Sequence, residues 1–175
     1  MTSPMLAAIP FDTQDVDGFL GDISQSMKSC GLTVRGVVQS RGAIQGECRC
    51  ADMDLTSLGS RQVFRISQPL GNGSRGCRLH LGSLAVCAAH LQDQIAQGAD
   101  LLVLNRFGRG ESEGRGFRDV IAQALGAGIP VLTAVRPTYW AAWRGFAGDA
   151  AVTLPMTHAA VFDWFQSTRE ICDAV

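Results

Sequence analysis

Short, mainly apolar segments alternate with segments of helical periodicity along most of this chain. The apolar runs are bounded by turn residues, as expected of strands that are buried on both faces; they span residues 5–11, 33–39, 100–105 and 130–135. Elsewhere apolar residues recur every three or four positions, which predicts helices; these span residues 15–29, 84–97, 117–125 and 158–172. The alternation predicts an α/β fold, a three-layer arrangement with a mainly parallel sheet and helices on both faces.

Residues 45–68 break this alternation with a period of two. Polar and apolar residues alternate on both sides of a turn at residues 56–60, which predicts an antiparallel hairpin with one solvated face. We expect the hairpin to be an insertion that extends the parallel sheet. A chain of this length buries about 70% of its unfolded surface, so residues 1–175 are expected to form a single α/β domain.

Composition and the N-terminal residues exclude several classes of protein. No apolar run approaches the ~20 residues of a membrane span, and residues 1–5 contain no basic segment of the kind that begins a secretory signal. We therefore expect a cytoplasmic protein without membrane contact. A sequence pI near 6.3 argues against nucleic acid as a partner. A homo-oligomer is compatible with the sequence.

Arginine is concentrated in the middle of the chain. Lys28 is the one lysine among 15 basic residues, and residues 35–118 carry eleven arginines against seven acidic residues, a net charge of +4. The planar guanidinium fork suits phosphate-like oxyanions better than the point charge of lysine does. This segment is therefore the predicted location of an anion site.

Two glycine- and arginine-rich loops lie in the basic segment. In the first, glycine N–H groups can form a nest around an anion while hydroxyl and guanidinium groups add donors. Its predicted ligand-binding residues are Gln68, Gly73, Ser74, Arg75, Gly76, Cys77 and Arg78. The alternative is a long solvated turn.

The second loop follows the buried strand at residues 100–105, at the sheet edge where ligands of α/β proteins bind. The predicted ligand-binding residues here, with the end of a neighbouring strand, are Gln39, Asn105, Arg106, Phe107, Gly108, Arg109, Glu113 and Arg118. Glu111 and Glu113 are candidates for pairing with these arginines or for holding Mg²⁺. An ordinary Arg/Glu loop is the alternative.

The six cysteines are expected to be free, mostly buried thiols, since a reducing compartment disfavours disulfides. Cys48, Cys50, Cys77 and His80 could supply four zinc ligands, but the Cys-x-Cys spacing is a weak signal and no metal site is predicted. No Gly-x4-Gly-Lys-Ser/Thr phosphate loop occurs in the sequence.

Several of these segments, in this order, resemble a bacterial family defined as a domain of unknown function. They are residues 36–39 (Gly-Val-Val-Gln), 66–71, 73–78, 100–108, 113–114 with Arg118, and 130–135. That family is similar to a divergent branch of the small P-loop nucleoside triphosphatases of the thermophile and cancer-related type. The resemblance implies their order of strands and helices, and it also implies a link to molybdate uptake.

Two departures from the triphosphatases bear on activity. Where they carry the lysine-containing phosphate loop, this chain has Pro-Phe-Asp-Thr-Gln-Asp at residues 10–15, which lacks lysine and adds Asp12 and Asp15. Where they hold Mg²⁺ on acidic residues after a sheet strand, it has Asn105 and Arg106. Phosphoryl transfer needs cradle, lysine and metal. We therefore expect a non-hydrolytic protein that binds an oxyanion such as molybdate or tungstate, or a nucleotide phosphate.

Two alternatives stay open at this point. One is a Mg²⁺-dependent nucleoside triphosphatase with a degenerate site, in which Glu111 or Glu113 orients the metal or the water. The other is a protein-interaction module in molybdenum metabolism, whose surface would include Trp140, Trp143, Trp164 and Phe165.

Overall fold

The computed structural model describes residues 3–41, 53–69 and 77–172, in which strands and helices alternate. The strands are β1 (Leu6–Pro10), β2 (Val34–Arg41), β3 (Met53–Ser57), β4 (Val63–Arg65), β5 (Ser67–Pro69), β6 (Cys77–Leu79), β7 (Leu101–Leu104), β8 (Val131–Val135) and β9 (Ala151–Thr153). The α-helices are α1 (Val16–Ser29), α2 (Leu81–Ala96), α3 (Arg109–Ser112), α4 (Arg118–Gly126), α5 (Trp140–Ala147) and α6 (His158–Cys172). Short 3-10 turns at Pro137–Tyr139 and Gly148–Ala150 flank α5.

Seven strands of the described chain form one sheet in the order β4-β3-β2-β7-β8-β1-β9. All neighbours from β2 to β9 pair in parallel, whereas β3 and β4 extend the β2 edge in antiparallel register. The predicted mainly parallel sheet with an antiparallel hairpin is thus confirmed. Strands β5 and β6 form a separate two-stranded ribbon.

Helices cover both faces of the sheet because the central strands direct alternate apolar side chains to opposite sides. Leu102 and Leu104 of β7 join a core cluster with α2, α4 and α5, while Leu101 and Val103 join a second cluster with α1 and α6. The result is the predicted three-layer α/β/α architecture. In the described ranges, no helix is long and apolar enough to cross a membrane.

The largest differences from the sequence predictions lie at helix ends and in the hairpin. Helix α1 begins at Val16, one residue after the predicted start, because Asp15 caps it: the Asp15 carboxylate accepts from the Gly18 N–H. The chain after β7 was predicted as loop to residue 116, but it contains α3. In β3, the neighbouring residues Asp54 and Leu55 are both buried, so the prediction that one face of the hairpin is solvated is also wrong. The Asp54 carboxylate accepts a hydrogen bond from Arg65 Nε at 3.2 Å.

Candidate functional site

The carboxyl ends of the parallel strands converge on one edge of the sheet, where ligands bind in open α/β folds. Phe11 follows β1, Asn105 follows β7 and Arg136 follows β8, while Gln39 lies near the end of β2. Backbone hydrogen bonds anchor this edge: Phe11 N donates to Val135 O at 3.2 Å, and the Phe107 N–H donates to the Ala134 carbonyl at 2.8 Å. The strand order therefore brings four segments distant in sequence to one place.

Two adjoining cavities open at this edge. One, of about 340 Å³, is walled mainly by apolar side chains from the hairpin, α2 and the segment from the end of β7 to Phe117. The other, of about 940 Å³, runs along the β1–α1 connection and includes Asp12, Asp15 and Asp17. The residues that line both cavities are Phe11, Gln39, Arg106 and Arg136.

Two guanidinium groups lie against the buried Phe11 ring between these cavities. The Arg106 and Arg136 carbons Cζ lie 5.5 and 5.2 Å from the ring centroid, which is cation–π distance. Arg106 also donates from Nη2 to Asp17 Oδ2 at 2.8 Å, and its Nε has no hydrogen-bond partner among the residues that the structure describes. Arg136 makes no salt bridge with any residue in the described ranges.

The N-terminus of α1 is occupied by the chain's own carboxylates. Asp15 Oδ1 accepts from the Gly18 N–H at 3.0 Å, and the Asp12 N–H donates to Gln14 Oε1 at 2.7 Å. Asp17 lies in the first turn. A helix N-terminus attracts anions because its N–H groups are unpaired and its dipole is positive there. Here the carboxylates of Asp15 and Asp17 supply the negative charge, and Asp15 accepts a hydrogen bond from one of the N–H groups.

Glu111 organises the loop between β7 and α4. Its carboxylate is buried and accepts from the Gly108 N–H through Oε2 and from the Phe117 N–H through Oε1, each at 2.9 Å. The Glu111 carbonyl accepts from Arg118 Nε. Because both carboxylate oxygens close the loop, the expectation that Glu111 is available to Mg²⁺ or water is wrong.

The other predicted residues of this loop divide between interior and surface. Arg118 lies over the Phe107 and Phe146 rings, at 6.0 and 5.1 Å from their centroids. Arg109 is exposed and donates to Glu113 at 3.0 Å, a hydrogen bond that raises the pKa of the Arg109 guanidinium. The Arg109–Glu113 ion pair does not hold either side chain inside the apolar cavity, although Arg109 is one of the residues that line it.

Asn105 is almost fully buried at the base of the apolar cavity. Its Nδ2 donates to Gln39 Oε1 at 3.4 Å, which joins the ends of β7 and β2. Both residues were predicted from the sequence as ligand-binding, and the structure brings them together with Arg106 and Phe107.

The first predicted loop falls largely outside the described residues. Gly73, Ser74, Arg75 and Gly76 lie outside them, as do Cys48 and Cys50. Of Gln68, Cys77 and Arg78 the structure describes the backbone, in which the β5–β6 ribbon pairs Gln68 with Arg78. The C-terminal flank of the loop, which forms β6, was not predicted to be a strand.

The described cysteine and histidine residues have structural explanations. Cys87 is buried, as expected of a free thiol, whereas Cys30 is exposed, contrary to that expectation. His80 caps α2 by accepting from the Ser83 N–H at 2.9 Å through Nδ1. Within the described ranges, no group of three His, Cys, Asp or Glu side chains could hold a metal ion.

Three of the four aromatic residues assigned to an interaction surface are core residues. Trp143, Trp164 and Phe165 are at most 6% exposed, and Trp164 Nε1 donates to the Pro4 carbonyl at 2.7 Å. That surface was therefore wrongly predicted.

Phe11, Asp17 and Arg136 belong to this edge but were missed as site residues. The sequence placed Phe11 and Arg136 beside strand ends, yet no glycine-rich motif marks either of them. Asp17 stands two positions after the helix cap, where an acidic residue is usual for helix stability alone.

Comparison with solved structures identifies a similar fold in a human protein. The solution structure of a human cancer-related nucleoside triphosphatase matches with a TM-score of 0.61 over 96% of this chain and 95% of that chain, at 16% identity. At this identity the match shows the fold alone. It agrees with the architecture that the sequence motifs implied.

A curated relative is much closer in sequence but far longer. It is a molybdenum import ATP-binding protein, ModC 2, of Bradyrhizobium diazoefficiens, 35% identical over 178 residues. The alignment covers 97% of this chain and 20% of the relative, so the chain corresponds to one fifth of that protein. A family model matches residues 6–164. The chain belongs to the family described as Protein of unknown function (DUF2478), as its ordered motifs indicated.

Proposed function

We propose that this protein binds a small anion without hydrolysing it, at the carboxyl edge of the sheet between Arg106 and Arg136. The observation that carries the proposal is the pair of guanidinium groups that lie on the Phe11 ring and border both cavities. Charge-assisted hydrogen bonds from arginine suit tetrahedral oxyanions and phosphates. The candidate ligands are molybdate, tungstate or the phosphate of a nucleotide.

The name of the Bradyrhizobium relative supports this class of ligand, since it combines molybdenum import with ATP binding. The alignment covers a fifth of that protein. This chain lacks the lysine-containing phosphate loop. We therefore propose that the region it shares with the relative binds a ligand and does not hydrolyse ATP. Binding by the first glycine-rich loop, including Ser74, Arg75 and Arg78, remains part of the proposal.

The charges at α1 support binding without hydrolysis. Asp12, Asp15 and Asp17 stand where a bound triphosphate would need positive charge, and Asp15 already caps the helix. Repulsion between these carboxylates and the negative charges of a triphosphate disfavours binding of the triphosphate. Asn105 and Arg106 follow β7 in place of acidic metal ligands, and Glu111 is committed to backbone N–H groups.

Calorimetry and thermal-shift measurements on the full chain test the proposal with molybdate, tungstate, sulfate, phosphate, ATP and GTP, each with and without Mg²⁺. A ligand at a hundredfold excess over Kd stabilises the native state by about 2.7 kcal/mol. We expect Arg106→Ala and Arg136→Ala to weaken binding by roughly 1.5–3 kcal/mol, or about 10- to 150-fold.

Arg169→Ala is the matched control. Arg169 also pairs with an aspartate, Asp100, and also lies over a phenylalanine ring, but it stands at the opposite end of the sheet. It should leave affinity unchanged. Equal affinity in wild type and both site variants would refute the site, and Mg²⁺-dependent turnover of ATP or GTP that Glu113→Gln abolishes would refute the non-hydrolytic role.

A further inference from the structure

We propose that the ligand has two parts, a planar heteroaromatic ring held in the apolar cavity and an anionic group held by Arg106 and Arg136. This inference rests on the proposed function and specifies its ligand class. It follows from the adjacency of the two cavities, which share Phe11 and Gln39 as lining residues as well as both arginines.

The apolar cavity has no role in binding an inorganic oxyanion. Its volume of about 340 Å³ lies within the ~300–1,000 Å³ range of small-molecule sites. The apolar side chains that line it include Phe11, Leu55, Ile66, Leu84, Phe107 and Phe117. A small, strongly hydrated anion gains nothing from such walls, whereas a ring gains from leaving water and from aromatic contacts.

The Asn105–Gln39 pair supplies a polar edge for such a ring. Asn105 is 4% exposed, so its amide is desolvated. With Asn105 Nδ2 donating to Gln39 Oε1, the Asn105 Oδ1 acceptor and the Gln39 Nε2 donor make no side-chain hydrogen bond within the described ranges. An acceptor beside a donor complements the edge of a nitrogen heterocycle that carries adjacent donor and acceptor groups.

The arginines then hold the anionic substituent at the mouth of the cavity. Both guanidinium groups lie against Phe11, which forms part of the wall between the cavities. A ligand that spans this position keeps its charge away from the apolar walls and its ring away from the Asp12 and Asp15 carboxylates. Inorganic phosphate, which carries no ring, occupies only the polar part of the site and leaves the apolar cavity unfilled.

Isothermal titration of the full chain with matched probes tests the inference. The probes that carry a heteroaromatic ring (ring-bearing probes) are GMP, AMP, flavin mononucleotide and 6-carboxypterin, and the probes without a heteroaromatic ring (ringless probes) are ribose 5-phosphate and inorganic phosphate. We expect at least one ring-bearing probe to bind at least tenfold more tightly than the ringless probes. Gln39→Ala and Asn105→Ala should remove that gain, because each variant deletes one half of the polar edge that faces the ring.

Circular dichroism and thermal unfolding show whether each variant is folded, and Gln39→Ala, at a partly exposed position, provides the test if Asn105→Ala does not fold. Arg106→Ala should weaken both classes of probe. Equal affinities for ringless and ring-bearing probes would overturn this inference and leave the proposed anion site standing. Failure of every probe, including phosphate and molybdate, would overturn the proposed function itself.

Discussion

Arg106 and Asp17, which are 89 positions apart in the chain, form a salt bridge of 2.8 Å that joins the end of β7 to the first turn of α1. Each side chain is 27% exposed, so solvent weakens the attraction without removing it. Asp17 therefore competes with any external anion for the Arg106 guanidinium.

Asp17→Asn should raise the affinity for phosphate or molybdate. Removal of one nearby negative charge at a partly exposed site is worth about 1 kcal/mol, or roughly fivefold at low salt, with a smaller gain as salt rises. Titration calorimetry at two ionic strengths measures both effects. Asp22→Asn, on an exposed position of the same helix, is the control; weaker binding by Asp17→Asn would contradict the competition.

Glu111→Gln should destabilise the fold by about 1–3 kcal/mol, because an amide group can accept from one of the two backbone N–H groups and presents a donor to the other. Urea denaturation measures the change. Glu113→Gln makes the same substitution two positions later on an exposed side chain, and should cost less than about 0.5 kcal/mol. Equal losses in the two variants would show that Glu111 does not hold the loop closed.

Gly116→Ala should be more damaging than Gly114→Ala, although both glycines have positive φ, +66° and +83°. A Cβ at Gly116 would lie 2.2 Å from Glu111 Oε1, whereas a Cβ at Gly114 would meet no atom within 4 Å. Backbone strain alone costs about 1–2 kcal/mol, so Gly114→Ala should lose that amount and Gly116→Ala about 3 kcal/mol or more. Thermal and urea unfolding of the pair decide between backbone strain and the Glu111 contact.

Cys87 should make the protein less stable at alkaline pH. Burial raises the pKa of its thiol from 9.0 to about 12. Above pH 9 the unfolded chain therefore loses a proton that the folded chain keeps, so stability is full below pH 9 and falls as pH rises toward 12, by at most about 1.36 kcal/mol per pH unit. Unfolding free energies of wild type and Cys87→Ala between pH 9 and 10.5 should differ in slope; parallel curves would contradict the prediction.

The same burial predicts selective alkylation. At pH 8, iodoacetamide should label exposed Cys30 within the native protein and label Cys87 only after unfolding. Peptide mass spectrometry reports each cysteine separately. Rapid native labelling of Cys87 would show that α2 opens far more readily than its packing indicates.

Hydrophobic periodicity was sufficient to predict the elements that carry the site. Strands β1, β7 and β8 lie within the predicted apolar runs. These segments are continuously apolar and are buried in the sheet, so local preference and tertiary environment agree. The short helix α3 was missed because its four residues, which include Gly110 and follow Gly108, carry no periodic signal.

The amino-acid sequence by itself determined the α/β class, the family and the position of Gln39, Asn105 and Arg106 at strand ends, because all three follow from local patterns. Only the tertiary structure decided that Arg106 pairs with Asp17, that Arg136 joins it on Phe11, and that Glu111 serves the backbone rather than a metal. Those contacts depend on β7 lying between β2 and β8. Crossover connections set that strand order, and the hydrophobic pattern of one strand is equally compatible with several neighbours.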